Sequence, residues 1–185
     1  MVRKAFLMAL AFALSSSAAF AADVPERKSL QVINDITKQV RQYTRYTIFD
    51  DVSIRLEDNG NAVLTGKVTM PFKKDDIGRL VGRVQGVNTV QNDIAVLPVS
   101  PFDDELRFRI SRAIYGNSAF WHYAAMANPP IHIVVENGRV TLAGVVQNNV
   151  ERMLARSLAT TFGAFSVKNE LKTDAEVKEL LEKIS

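Results

Sequence analysis

Cysteine is absent from the 185 residues, and histidine occurs only twice. Without cysteine there is no disulfide scaffold, thiolate zinc site, iron–sulfur centre or thiol nucleophile, and no acylated cysteine to anchor a lipoprotein. His122 and His132 stand apart, with no H-E-x-x-H and no clustered carboxylates, so no metal site of familiar spacing is present. G-x-S-x-G, the P-loop and a strand-following G-x-G-x-x-G are also missing. No apolar run reaches the ~20 residues that a membrane-spanning helix needs. No cofactor is expected.

A basic excess is nearly absent too. The formal charge is +3, from 23 Lys and Arg against 20 Asp and Glu. Two of the basic residues, Arg3 and Lys4, precede a ten-residue apolar stretch, AFLMALAFAL, at 5–14. Ser15 to Ser17 and then Ala19-Phe20-Ala21 follow, with small residues at the −3 and −1 positions of a cleavage site. This is the pattern of a secretory signal peptide, expected to occupy 1–21 and to be cut after Ala21. Removing it leaves 23 − 2 = 21 basic residues against 20 acidic, a net charge of +1. Nucleic acid is therefore not the expected partner. The mature chain is expected to be periplasmic, with no transmembrane segment.

What is present is written twice. Residues 60–66 read GNAVLTG and residues 138–144 read GRVTLAG, an offset of 138 − 60 = 78. Residues 86–94 read GVNTVQNDI and residues 163–171 read GAFSVKNEL, an offset of 163 − 86 = 77. Two blocks in the same order at nearly equal spacing indicate a duplication. Pro98, Ser100 and Pro101 mark the boundary, giving units at 22–100 and 101–185.

Each unit reads helix, strand, strand, helix, strand. Opening helices are expected at 26–46 and 103–115. Val52, Ile54 and Leu56 alternate with period 2, as do Ile131, Ile133 and Val135. Asn59-Gly60 and Asn137-Gly138 signal hairpins, because both positions tolerate φ > 0. Returning strands follow at 62–68 and 139–146. Ile77, Leu80, Val81 and Val84 then form a helical stripe, matched by Val150, Met153, Leu154 and Leu158. Gly86 and Gly163 are expected to end these helices as C′ residues, and Gly66 and Gly144 to turn the chain at the ends of the second strands. Gly78, Gly82 and Gly86 make a ridge that admits a close backbone, such as that of the other unit, or equally mark a weak helix. Final strands are expected at 89–96 and 165–171. A helix between two strands of one sheet is normally a right-handed crossover joining parallel neighbours. The expected fold is α+β, two tandem αββαβ units, each a three-stranded mixed sheet on two helices. Thr173-Asp174-Ala175-Glu176 reads as a capping box opening a C-terminal helix at 174–184, expected to dock on the second unit.

The N-G hairpin, Leu64-Thr65-Gly66 with Leu142-Ala143-Gly144, and the block G-V-x-x-V-x-N-x-[IL] at 86–94 and 163–171 together resemble the BON-domain family, named for bacterial osmotically inducible and nodulation-related proteins. The resemblance covers almost all of the mature chain. It implies a non-enzymatic protein of the cell envelope connected with osmotic stress, whose partners are anionic phospholipid or exported and envelope proteins. Two departures stand out: Ala164-Phe165 replaces the usual Val-x, and the connection at 120–130 (FWHYAAMANPP) is longer than usual.

The remaining candidates lie on surfaces. Asp50-Asp51, Asp75-Asp76 and Asp103-Asp104 fall in polar segments. The second and third pairs are expected at helix starts, where the dipole favours them. His132 is expected to face solvent, and His122 to be packed among aromatics. The helix at 103–115 is expected to bury Leu106, Ile110, Ala113 and Ile114. Its outer face would then carry Phe108, Arg112 and Tyr115, flanked by Arg107 and Arg109. Phe120, Trp121 and Tyr123 follow closely. Aromatics beside arginines suit interdomain packing first, then an anionic lipid surface, then a protein client. The rival reading is an adaptor module of a larger envelope complex.

Overall fold

The structure, a computed structural model, describes residues 29–160 and 163–182. The signal peptide and its cleavage site lie outside them. Helix α1 (Ser29–Gln42) buries Val32, Ile36 and Val40 at i, i+4, i+8. Strands β1 (Asp51–Leu56) and β2 (Asn61–Val68) form an antiparallel hairpin, and helix α2 (Pro71–Val81) crosses over to β3 (Thr89–Asn92) and β4 (Ala95–Val96), both parallel to β2. The second unit repeats this with α3 (Pro101–Tyr115), a short α4 (Trp121–Ala124), β5 (Ile131–Glu136), β6 (Arg139–Val146), α5 (Asn149–Thr160), β7 (Ser166–Asn169) and β8 (Lys172–Thr173). Helix α6 (Asp174–Glu182) follows. The architecture is thus two α+β units, each with a mixed sheet whose centre is β2 or β6. Each unit has its own apolar core between sheet and helices.

The last strand of each unit comes in two pieces, and the motif asparagine is the cause. Asn92 donates its side-chain amide to Lys74 O (2.8 Å), and Asn169 does the same to Arg152 O (2.8 Å). Their side-chain oxygens accept from Ile94 N and Leu171 N at 3.3 Å. The strand steps there, driving Ile94 and Leu171 into the two cores. Each asparagine therefore fastens crossover helix to sheet. Gly78 leaves room for this: a Cβ would lie 2.6 Å from Asn92 Nδ2. The close neighbour of Gly78 is the unit's own strand, not the other unit.

Other expectations are corrected. Gly66 and Gly144 lie within β2 and β6, not at their ends, with φ of +114° and +112°. A Cβ at either would collide with a carbonyl of the neighbouring segment, Asp51 O or Pro130 O. α2 is capped at Gly82, so Gly86 (φ +96°) is not its C′ residue but sits in the following loop. Only the second hairpin is a two-residue turn with both φ positive (Asn137 +51°, Gly138 +70°). In the first, only Gly60 is positive, and the loop closes by Glu57 N donating to Asn61 O. On α5 the buried side is Ala155 and Ala159 with Leu154 and Leu158 beside them, while Val150 and Met153 are exposed. Small residues let α5 lie close to the sheet, which moves the apolar stripe by about one position. The capping box forms: Glu176 Oε2 accepts from Thr173 N (2.8 Å) and Thr173 Oγ1 from Glu176 N (3.3 Å). No residue of α6 is buried, so the expected docking amounts to the Arg152–Glu176 ion pair (2.9 Å) and light contact with β6 and β8.

The two units meet through the segment between α1 and β1. Ile133 N donates to Ile48 O (2.7 Å), closing off the outer edge of β5. Phe49 packs on the second core and meets Phe108 edge to face, 5.3 Å between centroids. Lys67 and Glu136 form an ion pair across the seam. Val63, Val134 and Ala143 belong to neither core yet are buried.

Candidate interaction surface

Helix α3 begins at Pro101 because Ser100 caps it, accepting from Asp103 N at 3.2 Å, and proline at the first position gives up no helical bond. This fixes which side faces out, and the eight candidate residues divide. Arg107 does not face out. It is buried, donates to Val135 O (2.5 Å) and pairs with Asp104. Tyr115 is half-buried, donating to Ile131 O (2.5 Å) and accepting from Ile131 N (3.1 Å). It ties the helix to the start of β5, and burial pushes its phenol pKa well above the usual value. Phe120 is a fully buried core residue, and Tyr123 is buried with its hydroxyl on Glu151 (2.7 Å). These four hold the second unit together. Ala113, expected in the core, is only half-buried.

The other four remain outside. Phe108 is 56 % exposed even with one edge against Phe49, and Trp121 is 64 % exposed. Arg112 is exposed with no ion-pair partner among the described residues. Arg109 pairs with Glu105 at 2.7 Å, both well exposed. Phe108, Arg112 and Gly116 follow one another at i, i+4, i+8, a line of about 12 Å at 1.5 Å per residue. The Trp121 indole N–H leans on Gly116 O at 3.4 Å, at the end of that line. The result is a ridge of phenyl ring, free guanidinium and indole. Interdomain packing therefore takes one edge of Phe108 and leaves the rest uncovered.

Several acidic side chains and both histidines lie elsewhere than the sequence suggests. Asp50 and Asp103 are completely buried, not solvated, and Asp75 and Asp76 lie in the second turn of α2 rather than at its start. Asp50 accepts from Thr47 N and Oγ1 (2.8 Å each), Thr69 N (2.8 Å), Thr69 Oγ1 (2.9 Å) and Lys73 Nζ (2.6 Å). Asp103 accepts from Asn137 N and Gly138 N (2.8 Å each), clamping the tight hairpin to α3. Its signal was legible as Ser100-x-x-Asp103, the spacing of a capping box. For Asp50 the local signal is only Thr47-x-x-Asp50, and its other partners, Thr69 and Lys73, are distant in sequence. His132, expected in solvent, is half-buried at the seam. Its Nδ1 lies 2.6 Å from Asp50 O and its ring 5.5 Å from that of Tyr46. His122 is exposed, resting on the Tyr123 ring.

Among the described residues no three His, Asp or Glu side chains are grouped to hold a metal, and no helix is long and apolar enough to cross a membrane. The family model for the BON domain matches residues 31–98 and again 103–175. Among curated proteins none matches. Similar solved structures include CdsD, a structural protein of the type III secretion system of Chlamydia trachomatis. One CdsD structure is 15 % identical with a TM-score of 0.28, covering 65 % of this chain and 55 % of that one, so the chain spans about half of it. A second, of the same protein, is 18 % identical with a TM-score of 0.31, covering 82 % and 97 %.

Proposed function

The chain belongs to the BON-domain family, and from that premise we propose that it is a non-enzymatic, periplasmic envelope-stress protein contacting anionic phospholipid. The observation that carries this is the ridge on α3, where Arg112 stands without a counter-ion among the described residues, between the exposed Phe108 and Trp121. Aromatic rings settle at headgroup depth and arginines meet phosphates. Each basic residue near an anionic surface contributes about 1 kcal/mol; Arg109 is paired with Glu105, so Arg112 supplies about 1 kcal/mol and the exposed rings of Phe108 and Trp121 the rest of a weak, reversible attachment.

The test is flotation of the mature protein with vesicles of phosphatidylglycerol in phosphatidylcholine against phosphatidylcholine alone, at low and high salt. Association is expected only with the anionic vesicles, and it should fall as salt rises. The W121A/R112A variant should lose it with an unchanged melting temperature, because neither side chain is buried. Equal flotation of variant and wild type would refute the assignment to α3.

A protein-adaptor role is the second reading, favoured by a different feature. Phe102 and Phe165 stack at 6.2 Å over Gly138 and are 53 % and 78 % exposed. An interface built on this pair would be insensitive to salt.

A further inference from the structure

Along the seam a cleft of about 290 Å³ opens between α1 and β1 of the first unit and the start of β5 with β6 of the second. A smaller one of about 190 Å³ adjoins it, sharing Arg41, Tyr46 and His132. The larger cleft holds two charges of opposite sign. The Arg41 guanidinium is exposed, with no ion-pair partner among the described residues. The Asp51 carboxylate is half-buried and accepts no hydrogen bond from any described residue. They line the same cleft without pairing with each other. Val52 and Ile54 supply an apolar wall. Tyr46 Oη accepts from Val52 N at 3.2 Å, which leaves its own proton for a ligand acceptor.

The Asp51 oxygens stay open to the cleft, and burial of the residue raises its pKa, opposed by the charge of His132 on the same cleft wall. An ammonium group answers the carboxylate. A guanidinium is matched by a carboxylate, which it can hold through two parallel hydrogen bonds. A ligand with one charge satisfies only one of the two groups. We propose that the seam cleft is a binding site for a small zwitterion of the α-amino-acid class, its ammonium on Asp51, its carboxylate on Arg41 and an aliphatic side chain along Val52 and Ile54. The facing wall of the cleft is Pro130, His132 and Val145 of the second unit, so a ligand filling it also touches both units. The site shares no residue with the α3 ridge, so it stands or falls independently of lipid contact.

Calorimetric titration of the mature protein tests it with leucine, glycine, isopentylamine, 4-methylpentanoate and phosphoethanolamine as probes. Leucine should bind at least tenfold more tightly than isopentylamine or 4-methylpentanoate, and more tightly than glycine. Saturating leucine should raise the melting temperature, since it binds only the folded, docked chain. D51N should bring leucine down to the level of 4-methylpentanoate, and R41Q down to that of isopentylamine. R41Q alters an exposed side chain, so it remains folded and decides the matter even if D51N does not. W121A/R112A should bind leucine normally. Leucine binding no better than either half-molecule, binding unmoved by R41Q, or phosphoethanolamine outcompeting leucine would each overturn the proposal.

Discussion

Replacing Asp50 by alanine should be among the most damaging single changes available in the first unit. The carboxylate is completely buried and receives five hydrogen bonds from Thr47, Thr69 and Lys73. Its removal strands the Lys73 ammonium, whose side chain is only 7 % exposed. Breaking a buried pair from one side costs about 3–5 kcal/mol. The amides of Thr47 and Thr69 lose their acceptor as well, at roughly 1–3 kcal/mol each if left unmet. The sum, about 5 kcal/mol or more, rivals the whole stability of an ordinary domain. Removing both charges together, as D50A/K73M, eliminates the stranded ammonium and should recover most of the first 3–5 kcal/mol. Urea unfolding separates the two units conveniently, because Trp121 is the sole tryptophan and lies in the second. Circular dichroism reports both units, while tryptophan fluorescence follows the second. For D50A the circular dichroism transition should split, with an early phase that fluorescence follows weakly. A loss under about 1 kcal/mol, or a double variant as unstable as the single one, would show that the buried pair is not what closes this segment.

Asp103→Ala should destabilise the second unit by about 2–4 kcal/mol, since two hairpin amides lose a charged acceptor, and here the fluorescence midpoint should move first. Gly144→Ala should prevent the second unit from folding, because the new Cβ meets Pro130 O and φ is +112°; a soluble variant with a cooperative fluorescence transition would contradict this. Thr173→Ala should cost about 1 kcal/mol through loss of the capping box, read as a small drop in melting temperature. Burial lowers the pKa of His132 below its ordinary 6.5, opposed by Asp51 and by the carbonyls of Asp50 and Thr47. The unfolded chain then binds the extra proton first, so stability should fall as pH drops from 6.5 through the lowered value. Asp51, with its raised pKa, acts in the opposite sense, so the D51N background should steepen the fall and H132Q should abolish it.

The repeat carried most of the fold. Period-2 alternation, the Asn-Gly pairs and the offset blocks placed both hairpins, the strands β3, β4 and β7 and both crossover helices, because these signals are local, while β8 (Lys172–Thr173) fell beyond the expected 165–171. What stayed hidden depends on contacts between distant residues. Gly144 reads as a turn until Pro130 O is seen where its Cβ would stand. On α5, Val150 and Met153 look like core by hydrophobicity, but Ala155 and Ala159 are buried because the helix packs close. The candidate surface suffered most. Helical spacing alone gave Arg107 and Tyr115 the same outward status as Phe108 and Arg112. The difference lies in Val135 O and Ile131 O, carbonyls on the first strand of the same unit that only the folded chain brings within reach.

The places where the two units differ are the places where a specific role can reside. Their cores and their motif asparagines are equivalent, so a duplicated fold by itself distinguishes neither unit. Between α1 and β1 run eight residues, 43–50, organised around Asp50, whereas fifteen, 116–130, separate α3 from β5 and are organised around Phe120. The shorter segment supplies Tyr46 to the cleft and Phe49 to the seam, and the longer supplies Trp121 to the ridge and Pro130 to the cleft. Asn88 bonds to the first hairpin through Asn59 O, while Phe165, its counterpart at an offset of 165 − 88 = 77, instead presents an exposed ring over the second. Every candidate contact surface thus includes at least one residue that the other unit does not repeat. Substitutions confined to the repeated positions should act on stability, and those at the exposed Trp121 or Phe165 on binding.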